Sequence, residues 1–250
     1  MMVLVGSVLH VQADEASPTR RAFAQLNYPS LGRTMNKGVE LVDKGDYEKA
    51  RQFFDAAIAQ DPKAWPLYLN RVNVFAHQQK FDLAIQDLNT VLRLAPGILL
   101  AQVLRGQIYE HLGNYGRALA DYDRIISITP QSLPRNCAFA LNSRAWLRAT
   151  CPDASFRNAK QAVSDAKSAC NDTSSAEAAY IDTLAAAQAE AGDFDSAIRF
   201  QQQAIARAHE ETWAIKDPER RRAAYQRQVA RYQRRLAAYE LHQPWRSNLH

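Results

Sequence analysis

The groups in these 250 residues that could do chemistry are a few histidines, cysteines and a run of arginines, and their spacing limits what each can do. His77 and His111 stand one step of 34 residues apart and could share a face. Two imidazoles without a third ligand make a poor metal site, so a solvent-facing or hydrogen-bonded role is the default for both. Cys137, Cys151 and Cys170 are odd in number and show no C-x-x-C spacing, which argues against a zinc site or a full disulfide framework. Buried small hydrophobes are their plain reading. If the chain is exported, Cys137 and Cys170 could face each other, because they fall at the start and end of two predicted antiparallel helices. There is no H-E-x-x-H, no Gly-rich phosphate loop and no G-x-S-x-G elbow. The sequence therefore predicts no catalytic residue, no bound metal and no cofactor.

The arginines are concentrated at one end. From Lys216 onward the chain holds Lys216 and eight arginines against Asp217, Glu219 and Glu240, so the net charge of +5 belongs to one terminal segment and the rest is near neutral. Arg220, Arg221, Arg222, Arg234 and Arg235 read as a solvated basic face, since no base-stacking motif accompanies them, and nucleic acid is not expected as a partner. At the other end, Met1 to Leu9 are nearly all apolar and run into Val11 and Ala13, placed like the small residues before a signal-peptidase cut. Residues 1–13 thus read as a possible signal peptide, which places the protein in the periplasm or outside the cell, with the cytoplasm as the alternative. The stretch is too short to span a bilayer.

The elements that position these groups are helices. Apolar residues make up 47% of the chain, glycine and proline are few, and Ala, Gln, Arg and Leu abound. Pro62, Pro96 and Pro130 are spaced by 34 residues, and the same step relates Ala50, Ala84 and Ala118; Tyr47, Phe81 and Tyr115; Phe54, Leu88 and Tyr122; and Ala57, Val91 and Ile125. Gly38, Val72 and Gly106 follow it less strictly. Each unit reads as two amphipathic helices with a short loop between them and a proline closing the second. The small residues let one helix approach the next, and the aromatic fills the gap between them.

A 34-residue helix-turn-helix unit with these small, aromatic and proline positions resembles the tetratricopeptide repeat family. The resemblance covers Leu31 to Ser132 as three repeats, 31–64, 65–98 and 99–132, after an N-terminal extension over 14–30. The second repeat departs at Val72 and at Gln79, where glycine is usual, which predicts looser packing there. Residues 137–209 read as two variant repeats, with helices over Ala140–Thr150 and Asn158–Ala169 and then Ala178–Ala191 and Asp195–Ala208. The run from Leu141 to Ala154, with Asp182 to Ala187, is similar to a variant pair seen in bacterial repeat proteins. A last helix, 217–241, lines Tyr225, Val229, Tyr232, Leu236 and Tyr239 on one seam, as a capping helix for the array would. The implied fold is all-α, an α-solenoid of about five repeats with a C-terminal cap.

The resemblance also names a binding wall, because the first helices of successive repeats line a concave groove suited to an extended peptide or a helix. Carried over by position, the wall is Met35 and Val39, then Leu69, Asn70, Asn73 and His77, then Val103, Gln107 and Glu110, with Asn142 and Trp146 in the fourth unit and Asp182 in the fifth. Leu69, Val103 and Trp146 have core packing as an equal alternative. Asn70, Asn73 and Gln107 carry amides that both donate and accept, suited to a ligand backbone or simply to water. Of the positions that clamp a chaperone's acidic tail in this family, only Asn70 matches; Met35, Val39, Leu100 and Leu104 lack the charge, so a more apolar ligand is expected. The resemblance thus implies a non-catalytic scaffold for a protein or peptide partner. The alternative is a self-assembling or envelope-complex helper subunit, with a second copy of the chain, a homo-oligomer, as the alternative partner.

Overall fold

The computed structural model describes residues 29–128, 134–172, 177–213 and 217–247. The expected leader 1–13, nearly all of the extension 14–30 and Pro130 lie outside them. Among the described residues every regular element is helical: α1 (Pro29–Asp43), α2 (Tyr47–Gln60), α3 (Trp65–His77), α4 (Phe81–Leu94), α5 (Leu99–His111), α6 (Tyr115–Ile128), α7 (Pro134–Thr150), α8 (Ala159–Asp172), α9 (Ala178–Glu190), α10 (Phe194–Trp213) and α11 (Pro218–Glu240). None of these helices is long and apolar enough to cross a membrane. Helix α7 starts at Pro134, ahead of the expected Ala140, and its loop to α8 carries a short 3-10 turn, Ala154–Phe156, capped by Asp153 accepting from the Ser155 N–H.

The chain forms two compact units, one up to Leu112 and one from Gly113. In the first, each helix from α1 to α5 packs on the next, and α1 also touches α3. In the second the same order runs from α6 to α11, and α7 also touches α9. Neighbour on neighbour, with each first helix against the following first helix, is the packing of an α-solenoid.

The 34-residue register is a burial register. Ala50, Ala84 and Ala118 are all fully buried, as are Phe54, Leu88 and Tyr122. A methyl group at a helix crossing permits close approach, and a large ring or leucine fills the space this leaves. Gly38 takes this to its limit, since a Cβ there would collide with the Phe54 ring, lying 2.6 Å from its Cε1.

The turn closing α1, α3, α5 and α9 is equally regular. Gly45, Gly113 and Gly192 lie in the left-handed region, and Gln79 joins them at φ 58°. The bonds repeat as well: the Gly45 and Asp46 N–H groups donate to Val42 and Leu41, those of Gln79 and Lys80 to Ala76 and Phe75, and those of Gly192 and Asp193 to Ala189 and Gln188. Glutamine thus adopts the turn that glycine makes elsewhere. The looser packing expected of the second repeat is not found either: Val72 is buried in one cluster with Ala84, Leu88 and Leu104.

Helix α11 ends on this same turn. His242 lies at φ 54°, its N–H donates to Tyr239, and the Gln243 N–H donates to Ala238. The terminal helix therefore finishes as the first helix of a further repeat, with the short segment 243–247 where a second helix would begin. Ring stacking tells the same story. The aromatic opening a second helix meets a ring from the following repeat at Tyr47–His77 (4.6 Å), Phe81–His111 (4.5 Å) and Tyr115–Phe156 (5.4 Å), and Phe194 stacks at 5.0 Å on His242.

Cys137, Cys151 and Cys170 are not joined by disulfide bonds. Cys137 and Cys170 pack into one apolar cluster around Leu141, Ala169 and Tyr180. Burial pushes the Cys170 thiol up to about 11, so it stays protonated and unreactive near neutrality.

Candidate partner-binding faces

In the first unit the wall residues divide by depth. Leu69 and Val103 are 1% and 3% exposed, with Leu69 inside the cluster of Val72, Leu88 and Leu104, so neither can offer its side chain to a ligand. Asn70 is buried too, and its Nδ2 donates to its own helix at the Pro66 carbonyl, 2.8 Å away. Asn73 is nearly buried, and Met35 packs against the Ala50–Phe54 cluster. Val39, His77, Gln107 and Glu110 keep part of their surface accessible. The accessible part of the expected wall is therefore more polar than the sequence suggests, because Leu69 and Val103 serve the core.

His77 stacks on Tyr47 and His111 meets the Phe81 ring at a tilt, and among the described residues no cluster of His, Cys, Asp and Glu could hold a metal. Burial holds His111 below the usual imidazole value. Unfolded, it takes a proton near pH ~6.5; folded, only at lower pH. Its contribution to stability is present above that value and lost as pH falls through it toward the folded one. The His111 midpoint in an NMR titration should lie below ~6.5, and urea stability between pH 7 and 5 should fall less in His111→Phe than in the wild type.

The second unit's wall is occupied by the chain's own terminus. Asp182, 5% exposed on α9, ion-pairs with Arg235 of α11 and accepts at 2.9 Å from Gln201 Nε2. The Arg235 guanidinium lies 4.5 Å from the centre of the Trp146 ring of α7 and 5.5 Å from that of Trp245. Beyond α11, Trp245 packs against the cluster of Ala145, Trp146, Ala149 and Leu184. Arg246 Nη1 lies 2.7 Å from Glu190 Oε2, the Ser247 N–H donates to the Thr150 carbonyl at 2.8 Å, and the two hydroxyls of Ser247 and Thr150 meet at 2.8 Å. Trp146 and Asp182 are thus not open to a partner in this state. Asn142, four residues before Trp146 on α7, is half-buried with its Oδ1 unbonded, and Trp146 Nε1 is likewise buried without a bond.

Sequence reasoning missed Arg235, which read as solvated, and it missed a ladder of arginines. Arg71 on α3 bridges Asp55 of α2 and Asp87 of α4, Arg105 on α5 donates to Asn89 of α4 at 2.7 Å, and Arg144 on α7 bridges Asp123 of α6 and Asp165 of α8. The signal was present, since Arg71 and Arg105 are 34 residues apart, as are Asp55, Asn89 and Asp123.

Residues 35–98 and 78–132 match the family model described as "Tetratricopeptide repeat". Among curated proteins, the chain is 24% identical over 102 residues to the tetratricopeptide repeat and J domain-containing co-chaperone DNJ1 of Cryptococcus neoformans, covering 41% of this chain and 20% of that one. It is 31% identical over 94 residues to human sperm-associated antigen 1, covering 38% of this chain and 10% of that one. The chain spans a fifth or less of both relatives. These relatives are eukaryotic and lend nothing to the expected bacterial source. Among solved structures, the type IV pilus biogenesis factor PilW superposes with a TM-score of 0.61 at 15% identity, over 84% of this chain and 94% of that one, a likeness of fold.

Proposed function

We propose that this chain, which carries tetratricopeptide repeats over residues 35–132, is a protein-interaction module whose first unit holds an extended segment of a partner against helices α1, α3 and α5. The observation that carries this reading is the split within the wall: Leu69 and Val103 fix the helices from inside, while Val39, His77, Gln107 and Glu110 stay accessible on the same helices. An amide that donates and accepts, a carboxylate and an imidazole suit the backbone groups of a peptide better than an apolar ligand does. Helices held by a packed core present such groups with little to reorganise on binding. The reading requires no chemistry beyond recognition.

The test is quantitative capture of partners by the full chain and by a Gln107→Ala, Glu110→Ala variant whose melting matches the wild type. A bona fide partner should bind the variant roughly tenfold more weakly, equivalent to about 1.4 kcal/mol. Equal retention by both proteins would remove this face from the reading.

A further inference from the structure

We propose that the α7–α9 face of the second unit is itself a peptide site, specific for an extended aromatic–Arg–Ser segment, and that Trp245–Arg246–Ser247 is its resident, exchangeable ligand. This site is separate from the face of the first unit, and its fate does not depend on that reading.

The contacts of the segment are those of a recognised peptide. One aromatic side chain lies on an apolar floor of Ala145, Trp146, Ala149 and Leu184. One arginine reaches the carboxylate of Glu190, whose other oxygen accepts from Arg157 Nε at 3.0 Å. One main-chain N–H donates to a free helix-end carbonyl, Thr150, and one hydroxyl meets another beside it. The partners on α7 lie 97 residues back in the chain, so the segment binds an already folded surface rather than completing a local element.

Two features make the segment exchangeable. It follows the turn at His242 that closes α11, so it can leave with the helix intact. It also leaves the site incompletely used: Asn142 Oδ1 and Trp146 Nε1, one turn apart on α7, are buried acceptor and donor without a bond. A ligand whose backbone supplied both would outcompete the resident one. The specificity follows from the residues. Glu190 selects a cation at the position after the aromatic and rejects an acidic residue there, and the tryptophan-lined floor favours a ring in the first position. The face of the second unit is thus a gated site, closed by a segment of the chemistry that would open it.

The probe is a fluorescein-labelled, amidated peptide of residues 241–247, added to the full chain and to its Trp245→Ala, Arg246→Ala variant. The variant should bind at least about tenfold more tightly than the wild type, and adding Glu190→Ala should abolish the gain. A folded variant that fails to bind, or equal binding by both chains, overturns the proposal. Should the variant not fold, 5-fluorotryptophan in the wild-type chain gives the answer. An excess of unlabelled probe should move the Trp245 resonance toward that of the free peptide, and an unmoved resonance at saturating probe overturns the proposal equally.

Discussion

Arg235→Met is expected to cost the second unit about 3–5 kcal/mol, the loss typical of removing one partner from a buried ion pair. Asp182 would remain at 5% exposure with Gln201 as its hydrogen-bond partner, a charge that one amide cannot compensate. Methionine roughly preserves the volume, so the experiment isolates the charge. It also forfeits the stacking of the guanidinium on Trp146 and Trp245, worth roughly 0.5–2 kcal/mol. The test is urea unfolding followed by fluorescence of Trp146, Trp213 and Trp245. Asp182→Leu combined with Arg235→Met should recover much of the loss, because an apolar pair of similar size often matches a buried ion pair. A single variant within about 1 kcal/mol of wild type would show that the Asp182 carboxylate is compensated by other groups without its partner.

The pair also shows where sequence reading reaches its end. Ala50, Ala84 and Ala118, with Phe54, Leu88 and Tyr122, which the 34-residue step marks for packing, are fully buried, because repeat packing is local and every repeat must solve it with the same side chains. The seam of α11 was legible for the same reason: Val229, Tyr232 and Tyr239 are all buried. Arg235, one turn before Tyr239, was not, because an arginine reads as surface until its acid is known, and Asp182 lies 53 residues away. The groove was least legible. Helix α3 buries Trp65, Leu67, Leu69, Asn70 and every residue from Val72 to Ala76, since a first helix meets its own second helix, the preceding repeat and the next one. A helix packed on so many sides gives no apolar stripe from which core and ligand positions could be separated. Leu69 and Val103, which read equally as wall or core, are core, and the closed face of the second unit depends on Trp245, which no local pattern connects to Trp146.

The second large effect is expected at Arg71. Arg71→Met should destabilise the first unit by about 3–5 kcal/mol, since Asp87 is 4% exposed and takes both ends of its fork from that guanidinium, at 2.7 and 2.8 Å. The pH dependence distinguishes this cause from lost packing. Burial raises the Asp87 carboxyl even in the wild type, with the bonds from Arg71 opposing it. Without Arg71 nothing comparable opposes burial, and the carboxyl rises further. A carboxyl raised on folding costs stability as pH rises from its unfolded value, near ~3.9, through its folded one, so the deficit of the variant should be larger at pH 7 than at pH 4. A packing defect would be the same at both. Arg144→Met in the second unit should cost a comparable amount at pH 7, because Asp165 is equally buried and held by the same fork at 2.7 and 2.8 Å. Urea titrations of Arg71→Met at both pH values, and of Arg144→Met at pH 7, decide the matter. A deficit independent of pH in Arg71→Met would mean that the Asp87 carboxylate is compensated by other groups, and that Arg71 serves alignment of the repeats rather than neutralisation of buried charge.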